Sequence, residues 1–416
     1  MKPVMRTSVE TRLAWRNVWK NKRRTVLTLL TVMVGCAMII YSKAIHKGSF
    51  EQMIDDAISA KTGHIQIHEK GFWENMSIDY AFIPGEAMIR ALDTNPDILA
   101  YSRRVHAAGL VSGGGSTEGA LIQAVDPAAE RRVTRIHSCI LPGGRYLVPG
   151  DKKNVIMGET IAKNLSIKVG DSLSMISQGF DGSFAADNFI VVGLIRSGNM
   201  EIDRSLIVMT LDEAMERFTM MGNVSSIAIR LKDGARTNAV RDELRKSIGA
   251  GNREIMGWEE LMPEMLQMIS FQDVTHEVLY YILFLIVAFG VLNTIQMSVY
   301  ERIRELGIML AIGTRPGQVR LMVLIESVFI SMMGIALGII LGTAISYYFT
   351  IHPLDYSSYQ KEMEAFGMTR TFIPAKIELI DLVSTSLAMF LLSIVFTFFP
   401  ALRASRLRPV EAIRKL

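Results

Sequence analysis

The stretch from residue 26 to residue 41 reads VLTLLTVMVGCAMIIY, an apolar run without a charged side chain. It lies in a span from Thr25 to Ser42, close to the roughly 20 apolar residues that a helix needs to cross a bilayer. Three further apolar spans follow only in the last third of the chain, at 278–299, 321–349 and 379–399. The sequence therefore predicts four membrane helices, with a long and mostly polar segment between the first and the second.

Lysine and arginine are concentrated on one side of these spans. They cluster before the first span, between the second and third spans, and after the last one: Arg12, Arg16, Lys20, Lys22, Arg23 and Arg24; Arg302, Arg304, Arg315 and Arg320; Arg403, Arg406, Arg408, Arg414 and Lys415. Because loops rich in lysine and arginine stay in the cytoplasm, both termini are predicted to be cytoplasmic. Residues 45–276 and 350–378 then lie on the opposite side of the membrane.

The basic leader carries Trp15 and Trp19 four residues apart, which favours a helix in the membrane interface over a plain charged flank. No small-x-small cleavage site follows the first span, so we interpret it as an uncleaved anchor rather than a signal peptide. The predicted fold class is membrane α-helical, with a large external α+β domain inserted between helices 1 and 2. The predicted segments are an interfacial leader (1–24), helix 1 (25–44), a two-lobed external domain (45–276), helix 2 (277–299), a cytoplasmic connection (300–320), helix 3 (321–349), an external loop (350–378), helix 4 (379–400) and a cytoplasmic tail (401–416).

The external domain alternates strand and helix patterns, which indicates an α+β fold. His64 and His68 would share one side of a half-buried strand, but no carboxylate or cysteine completes a metal site. The run 113–116 reads GGGS and is typical of a hairpin tip rather than a phosphate cradle. The sequence contains no recognisable catalytic motif. It also lacks the basic stripe with interleaved aromatic residues that is typical of nucleic-acid-binding proteins. We therefore expect a protein that is not an enzyme and does not bind nucleic acid or a cofactor.

Two features of the third span predict helix packing. Gly334, Gly338 and Gly342 recur at a spacing of four and would leave one helix face flat enough for close approach of another helix. Glu326 lies in the same span, where a carboxylate is costly unless it faces a protein partner or the membrane boundary. We expect both features at interfaces between helices.

The segment after the second span has the most specific pattern in the chain. Residues 301–316 read ERIRELGIMLAIGTRP, a short amphipathic helix that Gly313 should end and that Pro316 should not continue. Ile303, Leu306 and the pair 309–310 would face the membrane, and the charged side chains would face the cytosol. Such a helix is either a docking surface for a cytosolic protein or an ordinary interfacial connection, and its physical chemistry alone favours neither.

The pattern Glu301-Arg302-x-x-Glu305-Leu306-Gly307-x-x-x-Ala311-x-Gly313, followed by Glu326 and Gly334, resembles permeases of the FtsX/MacB/LolC–LolE superfamily of ABC systems. The leader motif at 12–18 is similar to that family, as are the motif at 158–171 and the C-terminal signature at 400–414. The resemblance covers the whole chain. Leu310 departs from it, because relatives often carry a basic residue there.

The resemblance implies a dimeric permease whose coupling helix receives a cytosolic ATPase and transmits force to an external, MacB-like domain. The coupling residues would be Glu301, Arg302, Arg304, Glu305, Gly307, Ala311 and Gly313. Because no Gly-x-x-x-x-Gly-Lys-Ser/Thr loop occurs in the chain, ATP would be used by a separate ATPase subunit. The second permease protomer is either identical or a paralogue, and the chain would lie in the inner membrane with its large domain in the periplasm.

Four spans and a large external domain resemble the LolC/LolE type, which extracts lipoproteins from the inner membrane and passes them to a periplasmic carrier. Acyl chains would then contact Met33, Met38, Tyr281 and Leu285, which are chosen only by their depth in the spans. Two alternatives remain open. One is a MacB-like exporter of peptides or amphiphiles that works with an adaptor and an outer-membrane duct, and the other is an FtsX-like regulator of a cell-wall hydrolase.

Overall fold

The computed structural model describes residues 7–20, 22–248, 251–359 and 370–408. The end of the predicted C-terminal signature, with Pro409, Val410, Ala412, Ile413 and Arg414, lies outside the described residues, and so does the middle of the loop 350–378. The chain divides into two compact units. The helical unit comprises Met1–Phe50, Ile269–Asp355 and Phe372–Leu416, and the α+β unit comprises Glu51–Met268 and Tyr356–Thr371.

The elements are numbered along the chain. The helices are α1 (Thr7–Lys20), α2 (Lys22–Ala57), α3 (Phe72–Asn75), α4 (Glu86–Thr94), α5 (Pro127–Val133), α6 (Glu159–Asn164), α7 (Met200–Ser205), α8 (Leu211–Arg217), α9 (Thr237–Ile248), α10 (Trp258–Leu261), α11 (Pro263–Glu301), α12 (Ile303–Ala311), α13 (Pro316–Ile351) and α14 (Leu379–Ser405). The strands are β1 (Ile65–Glu69), β2 (Ile98–Gly113), β3 (Ser116–Val125), β4 (Asn154–Gly158), β5 (Ser172–Gln178), β6 (Phe184–Ile195), β7 (Leu206–Thr210), β8 (Ser226–Leu231), β9 (Arg253–Gly257), β10 (Leu354–Asp355) and β11 (Phe372–Ile373). A π-helical turn, Ile58–Thr62, follows α2.

Within the residues that the structure describes, four helices are long and apolar enough to cross a membrane: α2 with its π-helical turn, α11, α13 and α14. These are the four that hydropathy predicts, because each contains one of the apolar spans. The predicted segment boundaries and the two-lobe division of the external domain stay predictions.

Glycines allow α2 to approach its neighbours closely in the helical unit. A Cβ atom built at Gly338 of α13 would lie 2.6 Å from the Cβ of Cys36, and one at Gly334 would lie 2.8 Å from that of Val32. The contact continues at Gly342, whose built Cβ would lie 3.0 Å from the Cα of Ala37. The three glycines that the sequence singles out therefore line one continuous contact between α13 and α2.

Helix α1 packs along α13 in the same unit. Ala14 and Val18 are buried, and the ring of Trp15 meets that of Phe329 edge-to-face with centroids 5.4 Å apart. Trp19 lies 6.1 Å from Trp15 and remains partly exposed. One side of α1 therefore packs against α13, while Trp15 and Trp19 remain 45% and 43% exposed.

The sheet of the α+β unit has nine strands in the order β3-β7-β4-β6-β5-β2-β8-β1-β9, and β3 also pairs with β2. That additional pairing closes β2 to β7 into a barrel without β1, β8 and β9. Alternate residues of the barrel strands form one apolar cluster: Val105, Ala107, Val111, Ile122, Ala124, Val155, Met157, Leu173, Met175, Phe189, Val191, Ile207 and Met209. A barrel has no free edge, so closure removes unpaired backbone groups from these strands.

Strands β8, β1 and β9 extend the sheet beyond the barrel. Ile65 and Ile67 pack beneath α4 and α9, while His68 lies against Phe72 and Trp73 on the other face. The prediction of a half-buried strand is therefore wrong, because β1 lies between two strands and is covered on both faces. The tip at 113–116 is a hairpin turn between β2 and β3, as predicted.

Replacing Gly338 with leucine tests the close contact between α13 and α2. The new side chain would enter space that Cys36 already fills, so we expect a loss of about 1–3 kcal/mol in the free energy of unfolding in detergent. Gly317→Leu is the matched control, because a Cβ at Gly317 meets nothing within 4 Å. Equal losses in both variants would contradict the proposed packing.

Candidate functional site

A short helix and a tight turn connect α11 to α13. Gly313 has a φ of +100°, a left-handed conformation that glycine adopts without strain. Its N–H donates to the carbonyl of Leu310 at 3.2 Å, and the N–H of Thr314 donates to that of Met309 at 3.0 Å. This is the bonding pattern of a Schellman C-cap. The prediction that Gly313 ends the helix is confirmed, and Pro316 is the first residue of the next helix.

Glu326 of α13 lies buried between two arginines. Its Oε1 is 3.0 Å from Nη2 of Arg24, and its Oε2 is 3.0 Å from Nη1 of Arg302. Arg24 belongs to the start of α2, whereas Arg302 stands between α11 and α12. Each carboxylate oxygen therefore has its own guanidinium partner, and one side chain ties three helical segments together.

The charges continue on both sides of Glu326. Arg24 also lies 3.5 Å from Glu301, and Arg302 lies 3.4 Å from Glu305. The ammonium of Lys20 is 2.5 Å from Glu305, and this hydrogen bond lowers the pKa of that carboxyl group. We call the series Lys20, Glu305, Arg302, Glu326, Arg24 and Glu301 the ionic chain. Its cations and anions balance, and its central bridges are buried while its Lys20 end is exposed.

The outer side of α12 is partly apolar. Leu306 and Gly307 are buried, whereas Ile308 and Ile312 are 44% and 78% exposed. Arg304 and Ala311 are also exposed. We call Arg304, Ile308, Ala311 and Ile312 the α12 surface. The sequence predicted only charged residues on this side of α12. The structure shows that Ile308 and Ile312 are exposed there as well.

The four residues selected for lipid contact lie on α2 and α11. Met38 is 54% exposed, and Tyr281 and Leu285, one turn apart on α11, are 69% and 47% exposed. Met33 is only partly exposed. Three of the four thus lie on the outer surface of the helical unit.

Sequence reasoning missed two parts of this site. Arg24 and Lys20 counted only as charges that fix the orientation of the first span, because nothing local indicates a partner some 300 residues away. A signal existed in Glu326, since a carboxylate within a span requires a cation. Ile308 and Ile312 were missed because the exact rotation of α12 was not predictable.

The histidines of the α+β unit do not form a metal site. Nδ1 of His64 accepts a hydrogen bond from the N–H of Leu231 at 3.2 Å, and burial lowers the pKa of His64 to about 4. His68 is buried against Phe72 and Trp73. No group of three or more histidine, cysteine, aspartate or glutamate side chains in the described residues could hold a metal ion.

Comparison with known proteins matches both parts of the chain. The model of the MacB-like periplasmic core domain matches residues 25–247, and that of the FtsX-like permease C-terminal domain matches residues 277–409.

Several curated proteins align over most of the chain. The lipoprotein-releasing system transmembrane protein LolC of Neisseria meningitidis is 20% identical over 94% of each chain. The macrolide export ATP-binding/permease protein MacB of Burkholderia thailandensis is 24% identical over 97% of this chain, which spans 60% of that relative's length. Among solved structures, the periplasmic region of MacB from Actinobacillus actinomycetemcomitans aligns with 52% of this chain at 14% identity and a TM-score of 0.37.

Removing the central charge of the ionic chain should destabilise the helical unit. Glu326→Gln leaves two arginines without their shared carboxylate, and breaking a buried pair costs about 3–5 kcal/mol. Glu305→Gln is the control, because its pair with Lys20 is exposed and worth about 0–1 kcal/mol. The free energy of unfolding in detergent measures both, and a loss for Glu326→Gln no larger than that of the control would refute the central role of this carboxylate.

Proposed function

This chain belongs to the family of ABC-transporter permeases that combine a MacB-like periplasmic core domain with an FtsX-like permease C-terminal domain, and we propose that it extracts lipoproteins from the inner membrane. It is a multi-pass membrane protein and a permease subunit. In the proposed reaction a separate ATPase supplies the energy, and a periplasmic carrier receives the lipoprotein.

The alignment with LolC is the observation that supports lipoprotein release. It runs over 94% of both chains, so nearly the whole length of that relative aligns with this chain. A second LolC, from Xylella fastidiosa, is 23% identical over a similar share of both chains. The proposal that cargo is lipidated rests on these relatives and on the layout of four spans with one large domain.

The α12 surface is the proposed docking site for the ATPase. Ile308 and Ile312 offer apolar area, and Arg304 beside them offers a positive charge. An apolar centre with an arginine is a frequent composition of protein interfaces. The lysines and arginines around the ends of the spans support a cytoplasmic position for this surface, where an ATPase subunit would meet it.

The ionic chain is the proposed route by which ATPase movement reaches the helices. A push on α12 is carried by Arg302 to Glu326 on α13, and from there by Arg24 to α2. Glu301 and Glu305 thus act within the ionic chain, where Glu301 pairs with Arg24 and Glu305 pairs with Lys20, in addition to any contact with the ATPase. The proposed route gives a mechanical role to Glu301, Arg302 and Glu305. The family resemblance names these three only as coupling residues.

The exposed part of α2 and α11 is the proposed contact for acyl chains. Met38, Tyr281 and Leu285 present flexible and aromatic apolar side chains. Methionine adapts to ligands of different shape, which suits a permease that handles varied lipids. The second permease protomer, identical or paralogous, would complete this surface.

A MacB-like exporter is the second candidate. MacB of Burkholderia thailandensis is 24% identical to this chain, slightly more than LolC of Neisseria meningitidis. The cargo would then be a peptide or amphiphile, delivered through an adaptor and an outer-membrane duct.

The α12 surface is tested by Ile312→Asp. A charge in the centre of a protein interface should weaken ATPase association about tenfold or more, since such central residues contribute about 2 kcal/mol or more. Co-purification of the ATPase from mild detergent and its permease-dependent ATP hydrolysis give the result. Ile312→Leu, which keeps the apolar contact, is the control, and undiminished association of the aspartate variant would exclude this surface as the docking site.

The cargo is tested in proteoliposomes that contain the chain with the ATPase and second permease that co-purify with it. We expect ATP-dependent release of a lipid-anchored protein to a soluble carrier. The control cargo is the same protein anchored by a membrane helix, which the permease should not release. ATP hydrolysis without release of the lipidated cargo would reject lipoprotein extraction, and stimulation of that hydrolysis by a macrolide would favour the exporter.

A further inference from the structure

Strand β2 leaves one of its edges unpaired before it enters the barrel. Residues 98–104 pair with β8 on one edge, whereas on the other edge β3 reaches β2 only from Arg104 onward. The carbonyl of Arg104 accepts a hydrogen bond at 2.8 Å from the N–H of Ser225, beside β8. Because successive residues of a strand turn their N–H and C=O groups to opposite edges, those of Tyr101 and Arg103 face away from β8. Within the described residues, no strand pairs with β2 there.

An open groove of about 540 Å³ lies along this edge. Helix α4 lines it with Ile89 and Leu92, helix α5 lines it with Ala129, and β2 lines it with residues 98–101 and 103. The groove thus combines main-chain groups of a strand with partly apolar walls from two helices. Its volume falls in the range of about 300–1,000 Å³ that is usual for ligand sites.

The charged residues that line the groove differ in whether they are bonded. Asp93 accepts a hydrogen bond from the hydroxyl of Tyr101 at 2.9 Å, and Asp126 accepts from main-chain N–H groups at the start of α5. Arg132 donates to a main-chain carbonyl of β2 at 2.8 Å. Arg103 is exposed, and it has no hydrogen bond or ion pair within the described part of the chain. A ligand in the groove therefore meets a free positive charge, which favours a carboxylate.

We propose that this groove binds an extended peptide segment of a partner protein, which adds to residues 99–103 of β2 as a further strand and places an acidic side chain against Arg103. Main-chain hydrogen bonds to the free edge supply affinity, and apolar side chains of the segment contact the walls from α4 and α5. The unpaired edge selects an extended ligand rather than a helix, because a helix has already used its own main-chain groups. This site is independent of the proposed lipoprotein function.

The probe is a fluorescein-labelled peptide of sequence VTVEVT, whose β-branched residues favour a strand. Fluorescence anisotropy follows its binding to the full chain in lipid nanodiscs, with empty nanodiscs as the blank. We expect saturable binding, and binding about fivefold weaker when glutamine replaces the glutamate of the peptide, the scale of an ion pair at a protein surface.

Two N-methylated versions of the peptide test strand addition directly. One carries methyl groups on the odd-numbered nitrogens and the other on the even-numbered nitrogens. Only one of these sets faces β2, so one version should bind like the parent peptide. The other should bind at least tenfold more weakly, because it loses several hydrogen bonds.

Variants of the chain locate the site. Ala129→Phe should abolish binding by filling the groove, and Ala128→Phe is its matched control, because Ala128 is exposed on the same helix and does not line the groove. Arg103→Gln should remove the preference for glutamate over glutamine, whereas Arg90→Gln on the outside of α4 should keep it. A thermal unfolding midpoint for each variant establishes that it is folded.

Four results would overturn the proposal: no saturable binding, binding that survives Ala129→Phe, equal binding of both N-methylated peptides, or a glutamate preference that persists in Arg103→Gln. Self-association of the chain that Ala129→Phe abolishes, without any binding of the peptide, would also overturn it. That outcome would assign the groove to a second copy of the chain.

Discussion

The helical unit depends on one buried carboxylate shared by two arginines. Glu326 is surrounded by apolar helix, and its charge is tolerated only because Arg24 and Arg302 each take one of its oxygens. The three residues belong to different helical segments, so the cost of burying the charge is met only when all three are in place. The interaction therefore specifies the arrangement of these segments as well as stabilising it.

Helix α2 has close partners on both sides. Its contact with α13 runs over the glycines, and a built Cβ at Gly35 would lie 2.2 Å from a methyl carbon of Val287 on α11. Dispersion contacts of this kind are insensitive to charge, but they weaken sharply when two helices separate. The ionic chain adds directional bonds at one end of the same contact. Together they make α2, α11 and α13 a block in which displacement of one helix is resisted by the other two.

Hydropathy and residue spacing predicted much of this structure, because both act locally. The apolar spans, the glycines of α13 and the C-cap at Gly313 follow from the residues nearest to them. The closure of the barrel does not, since the pairing of β3 with β7 joins residues far apart in sequence. The same holds for Arg24 and Glu326, which are 302 residues apart. For β1, the alternating pattern indicated a solvated face, but Phe72 and Trp73 cover His68 on that face, and the strand lies between β8 and β9. The features that the sequence did not predict therefore depend mainly on pairing between residues far apart in the chain, rather than on local preference.

Strand β2 belongs to two parts of the sheet at once. Its first residues, 98–104, pair with β8, and residues 109–112 pair with β5 on the same edge, while β3 follows its other edge. The open extension and the closed barrel therefore have a common spine. Twisting one against the other would break a ladder of backbone hydrogen bonds, so within this unit a torque applied to the extension would turn the barrel with it.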